Sequence, residues 1–258
     1  MALLEVNNVC MYFGGLKALE NVSMRAEKGQ ISALIGPNGA GKTTLFNVIT
    51  GFYAPTKGEV IFNGQHIEGL PAYKLVDLGI SRTFQNIRLL QEMTALENVQ
   101  LGHHHNLKQN LLDTVFISKR YKEEEEKSKM DAMECLEFVG IADYKDEKAK
   151  NMPYGHQRKV EIARTLATGA EILLFDEPCA GMNTAEKAQL AVLIRRINEE
   201  LHKTVMLIEH DMRFVMQLSD HITVLARGEL LAVGSPEEIQ KNPAVIEAYL
   251  GSARKEVR

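Results

Sequence analysis

No apolar run in this sequence approaches the ~18 residues that a membrane-spanning helix needs. The longest buried-looking runs, Ile172–Phe175 and Val205–Ile208, are strand-sized. The opening Met-Ala-Leu-Leu-Glu-Val lacks the basic stretch and apolar run of a secretory signal. Any membrane role is therefore expected to come through partners. Cysteine is scarce as well. Cys10, Cys135 and Cys179 are far apart and form no CxxC, which offers no zinc site and suits a reducing cytoplasm. There is no basic surplus either: the formal net charge is −4, and no nucleic-acid partner is expected without a basic footprint. Internal repeats and low-complexity linkers are absent.

What remains is ordinary globular material. The 258 residues are 45% apolar and 25% charged, enough for one large domain or a core with a smaller lobe. The first sixty residues read as strands: Leu3–Met11 broken by Gly14-Gly15, then Val22–Ala26, Ile31–Ile35 and Gly58–Asn63. From Lys42 the pattern turns helical, with Leu45, Val48 and Ile49 on one face. From about Leu89 to Lys150 the chain reads as helical and charge-rich. Glu123–Glu126 should form a solvated acidic face, ahead of apolar Met130, Met133, Leu136 and Val139 at helical spacing. Strands then return at Ile172–Phe175, Val205–Ile208 and His221–Ala226, with a helix over Ala185–Leu201. This alternation predicts βαβ units, a largely parallel sheet and an inserted helical lobe. Ser252–Arg258 reads as a frayed polar end.

Gly36-Pro37-Asn38-Gly39-Ala40-Gly41-Lys42-Thr43 matches the P-loop pattern GxxxxGK[ST] at every fixed position. A predicted strand enters it and a predicted helix, continuing through Thr44, leaves it. Glycines let backbone N–H groups approach phosphate oxygens, and the helix adds its positive N-terminal end. Lys42 should reach the β- and γ-phosphates of ATP, and the Thr43 hydroxyl should ligate Mg2+. Ile172–Phe175 ends in Asp176-Glu177. Asp176 is placed to hold Mg2+, and Glu177 to polarise an attacking water.

With these two motifs on the page, the chain resembles the ATP-binding cassette (ABC) family over nearly its whole length. Phe13 stands where the family stacks an aromatic residue on adenine. Gln85, in Arg82-Thr83-Phe84-Gln85-Asn86, matches the Q-loop glutamine, which the resemblance makes a sensor of Mg2+ and γ-phosphate and a link to membrane subunits. Met152-Pro153-Tyr154-Gly155-His156-Gln157 falls where the signature motif belongs, so Tyr154, Gly155 and His156 are candidate nucleotide contacts. Ala180-Gly181-Met182-Asn183 matches the D-loop, and His210 the switch histidine. The signature departs from Leu-Ser-Gly-Gly-Gln: Pro153 supplies no hydroxyl, and Asn183 replaces the usual D-loop aspartate.

The resemblance implies an α/β fold. Its P-loop core, about 1–88 and 160–258, would carry an antiparallel β subdomain. A helical subdomain, about 89–159, would carry the signature. It also implies ATP hydrolysis and a second cassette, identical or different, because each signature faces the other subunit's nucleotide. Three stretches are similar to the ATP-binding subunits of branched-chain amino-acid importers, of the larger cassette type: Tyr12–Leu16, Gly79–Leu89, and Pro153–Gly155 followed by Arg158–Arg164. The tail Asn242–Gly251 is similar too. Two permeases, a substrate-binding protein and the cytoplasmic face of the membrane are then expected. Urea import and lipopolysaccharide export use similar cassettes and stay open as alternatives. A soluble cassette acting on ribosomes or DNA usually has two cassettes or a coiled-coil insertion, and this chain has neither. A GTPase is disfavoured by the absence of Asn-Lys-x-Asp. His103-His104-His105 invites a metal reading, but neighbours on a helix fan out, so an exposed polar segment is expected.

Overall fold

The computed structural model describes residues 2–103 and 119–253. They form two compact units, Met1–Leu75 with Leu174–Arg258, and Val76–Leu173.

The first unit is built on two sheets. In the larger one, β3 (Ile31–Ile35) lies between β8 (Thr204–Ile208) and β9 (His221–Ala226), parallel to both, with Ala33 opposite Leu207 and Ile222. β7 (Ile172–Asp176) lies beyond β8, and β10 (Glu229–Gly234) pairs antiparallel with β9. Every residue of β3, β7 and β8 is buried. Strands covered on both faces carry no polar alternation, which is why they read as continuous apolar runs. The smaller sheet is antiparallel. β1 (Ala2–Phe13) pairs with β2 (Leu16–Glu27) around Gly14-Gly15, and β4 (Lys57–Phe62) and β5 (Gln65–His66) follow on the other side of β1. The predicted α/β fold with an antiparallel β portion is thus what the chain adopts.

Helix α1 (Lys42–Ile49) follows β3 and buries Leu45, Phe46, Val48 and Ile49. The chain leaves this unit within helix α2 (Ala72–Leu78) and returns to it within β7.

Among the described residues, the second unit holds β6 (Ile80–Arg82) and the packed helices α3 (Ala95–His103), α4 (Lys119–Phe138) and α5 (Tyr154–Ala167). Its core includes Val99, Ala132, Leu136, Val139, Val160 and Ala163. Here the predicted apolar stripe holds at Leu136 and Val139 and fails at Met130. Met130 is 64% exposed, whereas Ser128 and Ala132 are buried. The inward row of α4 therefore runs Ser128, Ala132, Leu136 at a spacing of four, and a small residue lets neighbouring helices approach. Glu123, Glu125 and Glu126 face solvent as expected. His103 does not: its side chain is 13% exposed and its Nε2 lies 3.0 Å from Asp131 Oδ2. His104 and His105 lie outside the described residues.

Among the described residues, four helices follow the return to the first unit: α6 (Thr184–Leu201), α7 (Met212–Leu218), α8 (Pro236–Lys241) and α9 (Pro243–Ala253). The end expected to fray from Ser252 is helical to Ala253, and residues 254–258 lie outside the described set.

Asn198 of α6 closes the sheet's lower rim. Its buried carboxamide donates to the carbonyls of Gly29 and Lys203, both at 2.8 Å. Asn198→Ala leaves both carbonyls without that donor and should cost roughly 2 kcal/mol of stability. Urea denaturation measures this; a loss below about 0.5 kcal/mol, the noise of an ordinary surface change, would contradict it.

Candidate functional site

β3 stops at Ile35 because the next residues must turn without side chains. Gly36 has φ 153°, and a Cβ there would sit 2.2 Å from the Leu225 carbonyl oxygen. Gly41 has φ 101°, and a Cβ would sit 2.8 Å from the Ala18 carbonyl oxygen. Both positions need glycine for backbone conformation and for close approach. Lys42 opens α1 and is nearly buried. Its ammonium donates to the carbonyls of Gly36 at 2.7 Å and Pro37 at 3.1 Å. Burial pulls the Lys42 pKa down, and the negative fields of Glu177 and Asp176 oppose that. A cleft of about 500 Å³ opens beside the loop, lined by Gly39 to Thr44, Phe13, Leu16 to Ala18, and Arg227-Gly228. Phe13 is 42% exposed and meets Tyr53 edge-on at 5.3 Å between ring centroids. Pro37, Asn38 and Gly39 also face a second hollow, closed on its far side by Ala244, Glu247 and Ala248 of α9.

Asp176 is buried at the end of β7. Glu177 follows at φ 46°, a left-handed conformation uncommon outside glycine. Such strain clusters at sites where geometry is over-determined. Two bonds hold it: the Glu177 N–H donates to the Ile208 carbonyl at 3.0 Å, and the Glu177 carbonyl accepts from Ala180 at 3.1 Å. His210 is exposed after β8, with Nδ1 3.7 Å from Glu177 Oε2. Glu177 and His210, both singled out from the sequence, are therefore neighbours within one unit.

The D-loop leads directly into α6. The Asn183 side chain accepts from Ala185 at 2.9 Å and Glu186 at 3.0 Å, while Glu186 accepts from the Asn183 N–H at 2.8 Å. This is a complete capping box, and Asn caps as well as Asp. The departure at Asn183 thus keeps the helix start.

The remaining candidates lie in the second unit. The signature helix α5 starts at Tyr154, with Pro153 as its cap residue and no side-chain cap bond. The Pro153 carbonyl accepts from His156 and Gln157. Tyr154 is 43% exposed. The His156 ring turns onto Tyr144, 4.4 Å between centroids, and burial, with Lys159 nearby, lowers its pKa. The Gln85 carbonyl accepts from Arg158 Nη2 at 2.9 Å.

Sequence reasoning overlooked three residues. Glu209 is fully buried, yet it accepts from the N–H of Cys179 at 2.8 Å and of His210 at 3.1 Å. It thereby joins the D-loop to the switch segment. Burial and this carboxylate push the Cys179 thiol well above its usual range. Tyr249 of α9 places its buried hydroxyl at the Gly36 backbone. Burial raises its pKa to about 12 against that hydrogen bond. Arg158 is the third. Their long-range partners are backbone groups brought in by folding, which no sequence pattern reports. The helices that present Tyr249 did carry one: Ser235-Pro236-Glu237-Glu238 is a capping-box pattern with proline at the first turn.

A mostly parallel sheet with a P-loop, an Asp-Glu strand end and a histidine behind the neighbouring strand defines a P-loop ATPase of the cassette type. The family model for the ABC transporter matches residues 19–180, and the chain belongs to that family and hydrolyses ATP. A second model, for the branched-chain amino acid ATP-binding cassette transporter, matches residues 229–255. The chain is 46% identical to the high-affinity branched-chain amino acid transport ATP-binding protein BraF of Pseudomonas aeruginosa, over 97% of this chain and 98% of that one. It is 45% identical, with the same coverage, to the corresponding protein LivG of Escherichia coli. Among solved structures, an ABC transporter cassette in its ADP conformation superposes with a TM-score of 0.84 at 34% identity, covering 97% of this chain and 99% of that one.

Asn183→Ala should remove the cap and cost about 1 kcal/mol, while Asn183→Asp should cost almost nothing. Thermal unfolding of the two variants side by side checks this. Equal losses would mean that the capping box is not what holds the start of α6.

Proposed function

We propose that this chain is the ATP-hydrolysing subunit of an importer for branched-chain amino acids. The observation that carries the catalytic half is the convergence on one glycine-walled loop of Lys42 and the Asp176 and Glu177 carboxylates, which act on its charge. The likeness to branched-chain amino-acid transport proteins along almost the full chain supports the substrate.

In this reading the nucleotide lies in the cleft beside Phe13, which stacks on adenine. Backbone N–H groups of Gly39 and of Gly41 to Thr44 meet the phosphates, and Lys42 turns from its own loop carbonyls to the β- and γ-phosphates. The donor set fits Mg2+: a hydroxyl at Thr43 and a carboxylate at Asp176 are hard oxygen ligands, with the Gln85 side chain as a further one. When bound, the ion neutralises charge on the β- and γ-phosphate oxygens. Glu177 takes the proton of the attacking water, and His210 steadies the γ-phosphate from beside it. Tyr154, Gly155 and His156, at the N-terminus of α5, face the nucleotide of a second cassette.

The helical subdomain of about 89–159 is then the part that presents the signature to the partner. Among the described residues no helix is long and apolar enough to cross a membrane. Two permease subunits and a substrate-binding protein complete the assembly, with this chain at the cytoplasmic face of the membrane.

Glu177→Gln should bind Mg·ATP at near wild-type affinity and lose roughly 10²- to 10⁴-fold in turnover, the usual worth of a positioned base. Phosphate release and calorimetry measure both; turnover within about twofold of wild type would remove Glu177 as the base.

Lys42→Ala should weaken Mg·ATP binding by roughly 10- to 100-fold, the worth of charge-assisted hydrogen bonds. In cells lacking the native gene, wild type should restore uptake of labelled leucine and Lys42→Ala should not. Restoration by both, or by neither while ATPase activity is intact, would overturn the transport reading.

A further inference from the structure

Arg158 is fully buried in the second unit, one turn into the signature helix. Its two terminal nitrogens make four contacts. Nη1 donates to the Phe84 carbonyl at 2.9 Å and to Glu161 Oε2 at 2.7 Å. Nη2 donates to the Gln85 carbonyl at 2.9 Å and to the Tyr154 hydroxyl at 3.1 Å. The same helix grips the loop twice more. Glu161 accepts from the Arg88 N–H at 3.4 Å, and Arg164 donates to the Arg88 carbonyl at 2.6 Å. Residues 84–88 therefore hang on three side chains from successive turns of α5.

A buried ion pair is a poor source of net stability, because desolvation offsets much of the attraction. Burial indeed raises the Glu161 pKa in spite of its neighbour. What such a pair does well is fix geometry. A guanidinium is planar and pre-organised, so two carbonyls and a hydroxyl held by one fork are held relative to each other.

We infer that Arg158 is a positioning residue that locks the Q-loop backbone to the signature tip, so that Gln85 and Tyr154 are displaced together. The inference rests on the ATPase reading above, in which Gln85 serves the chain's own nucleotide and Tyr154 the partner's. One side chain then links the two nucleotide sites of a cassette pair: a shift of the Q-loop at one site is passed to the signature at the other. Glu161 keeps the fork in place, and Arg164 holds the far end of the loop.

Arg158→Ala strands Glu161 in the core and is a poor test, since the unit may not fold. Arg158→Lys keeps the charge beside Glu161 but cannot serve both carbonyls and the hydroxyl at once. Steady-state hydrolysis by the full-length chain, normalised to ATP-binding sites, should show kcat reduced roughly tenfold with KM for Mg·ATP within about twofold, as expected when catalytic groups are misplaced rather than lost. The decisive readout is the cycle with Gln85→Ala. If Arg158 acts through the Q-loop, Arg158→Lys should add almost nothing in the Gln85→Ala background. A wild-type kcat for Arg158→Lys overturns the inference, and so does a loss that multiplies with that of Gln85→Ala. Should Arg158→Lys not fold, the same cycle is read with Tyr154→Phe, which removes one arm of the fork and buries nothing new. Failure of the ATPase reading is distinct: the wild-type chain, assayed together with the second cassette of its transporter, would then release no phosphate.

Discussion

Between Ile35 at the end of β3 and Lys42 at the start of α1, the backbone has to reverse within six residues, packed closely against the carbonyls of Leu225 and Ala18. Everything else in the first unit follows from that constraint. Side chains are excluded at Gly36 by the Leu225 carbonyl and at Gly41 by the Ala18 carbonyl. The loop is thus pressed between β9 and β2, and the two sheets of the unit have to meet there. Lys42 folds back on the loop it belongs to, which keeps an ammonium paired while nearly buried. Asp176 and Glu177 arrive from a strand separated from β3 by only β8.

The P-loop, the buried strands β3, β7 and β8, and the Asp-Glu pair were legible because each is a local pattern with a local cause. Fixed glycines mark close approach, and unbroken apolar runs mark strands with two covered faces. Reading failed where the cause was tertiary. The stripe read from sequence was right at Leu136 and Val139 and wrong at Met130, because Ser128 and Ala132 look indifferent until another helix lies against them. His103 reads as a polar surface residue until Asp131 is beside it. Glu209 and Arg158 look like solvent-facing charges, yet both are fully buried. Half of their hydrogen bonds run to backbone atoms far along the chain, at Cys179, Phe84 and Gln85, and no spacing rule reports such partners. Strand β10, half exposed at a sheet edge, carries only a weak apolar pattern, whereas the helix after it is marked by the Ser235–Glu238 capping box.

The two departures from the family pattern have different standing. Asn183 preserves a function, since its side chain caps α6 as aspartate would. Pro153 removes one: it sits at the cap position of α5 with no side-chain bond to the helix. The signature must then rely on backbone N–H groups at the start of α5 and on Tyr154, whose hydroxyl is tied to Arg158. That places unusual weight on how α5 is held, and the gripping of residues 84–88 by Arg158, Glu161 and Arg164 is where it is held.

The P-loop and the signature belong to different compact units of one chain, and the account makes each of them half of a site. Its central claim is that hydrolysis needs a second cassette. The most direct measurement is phosphate release per chain as cassette concentration rises, using this chain alone and with the second cassette of its transporter. The account predicts that the rate per chain climbs with the concentration of one or the other and then saturates. A rate per chain that stays flat from the most dilute sample upward would contradict it.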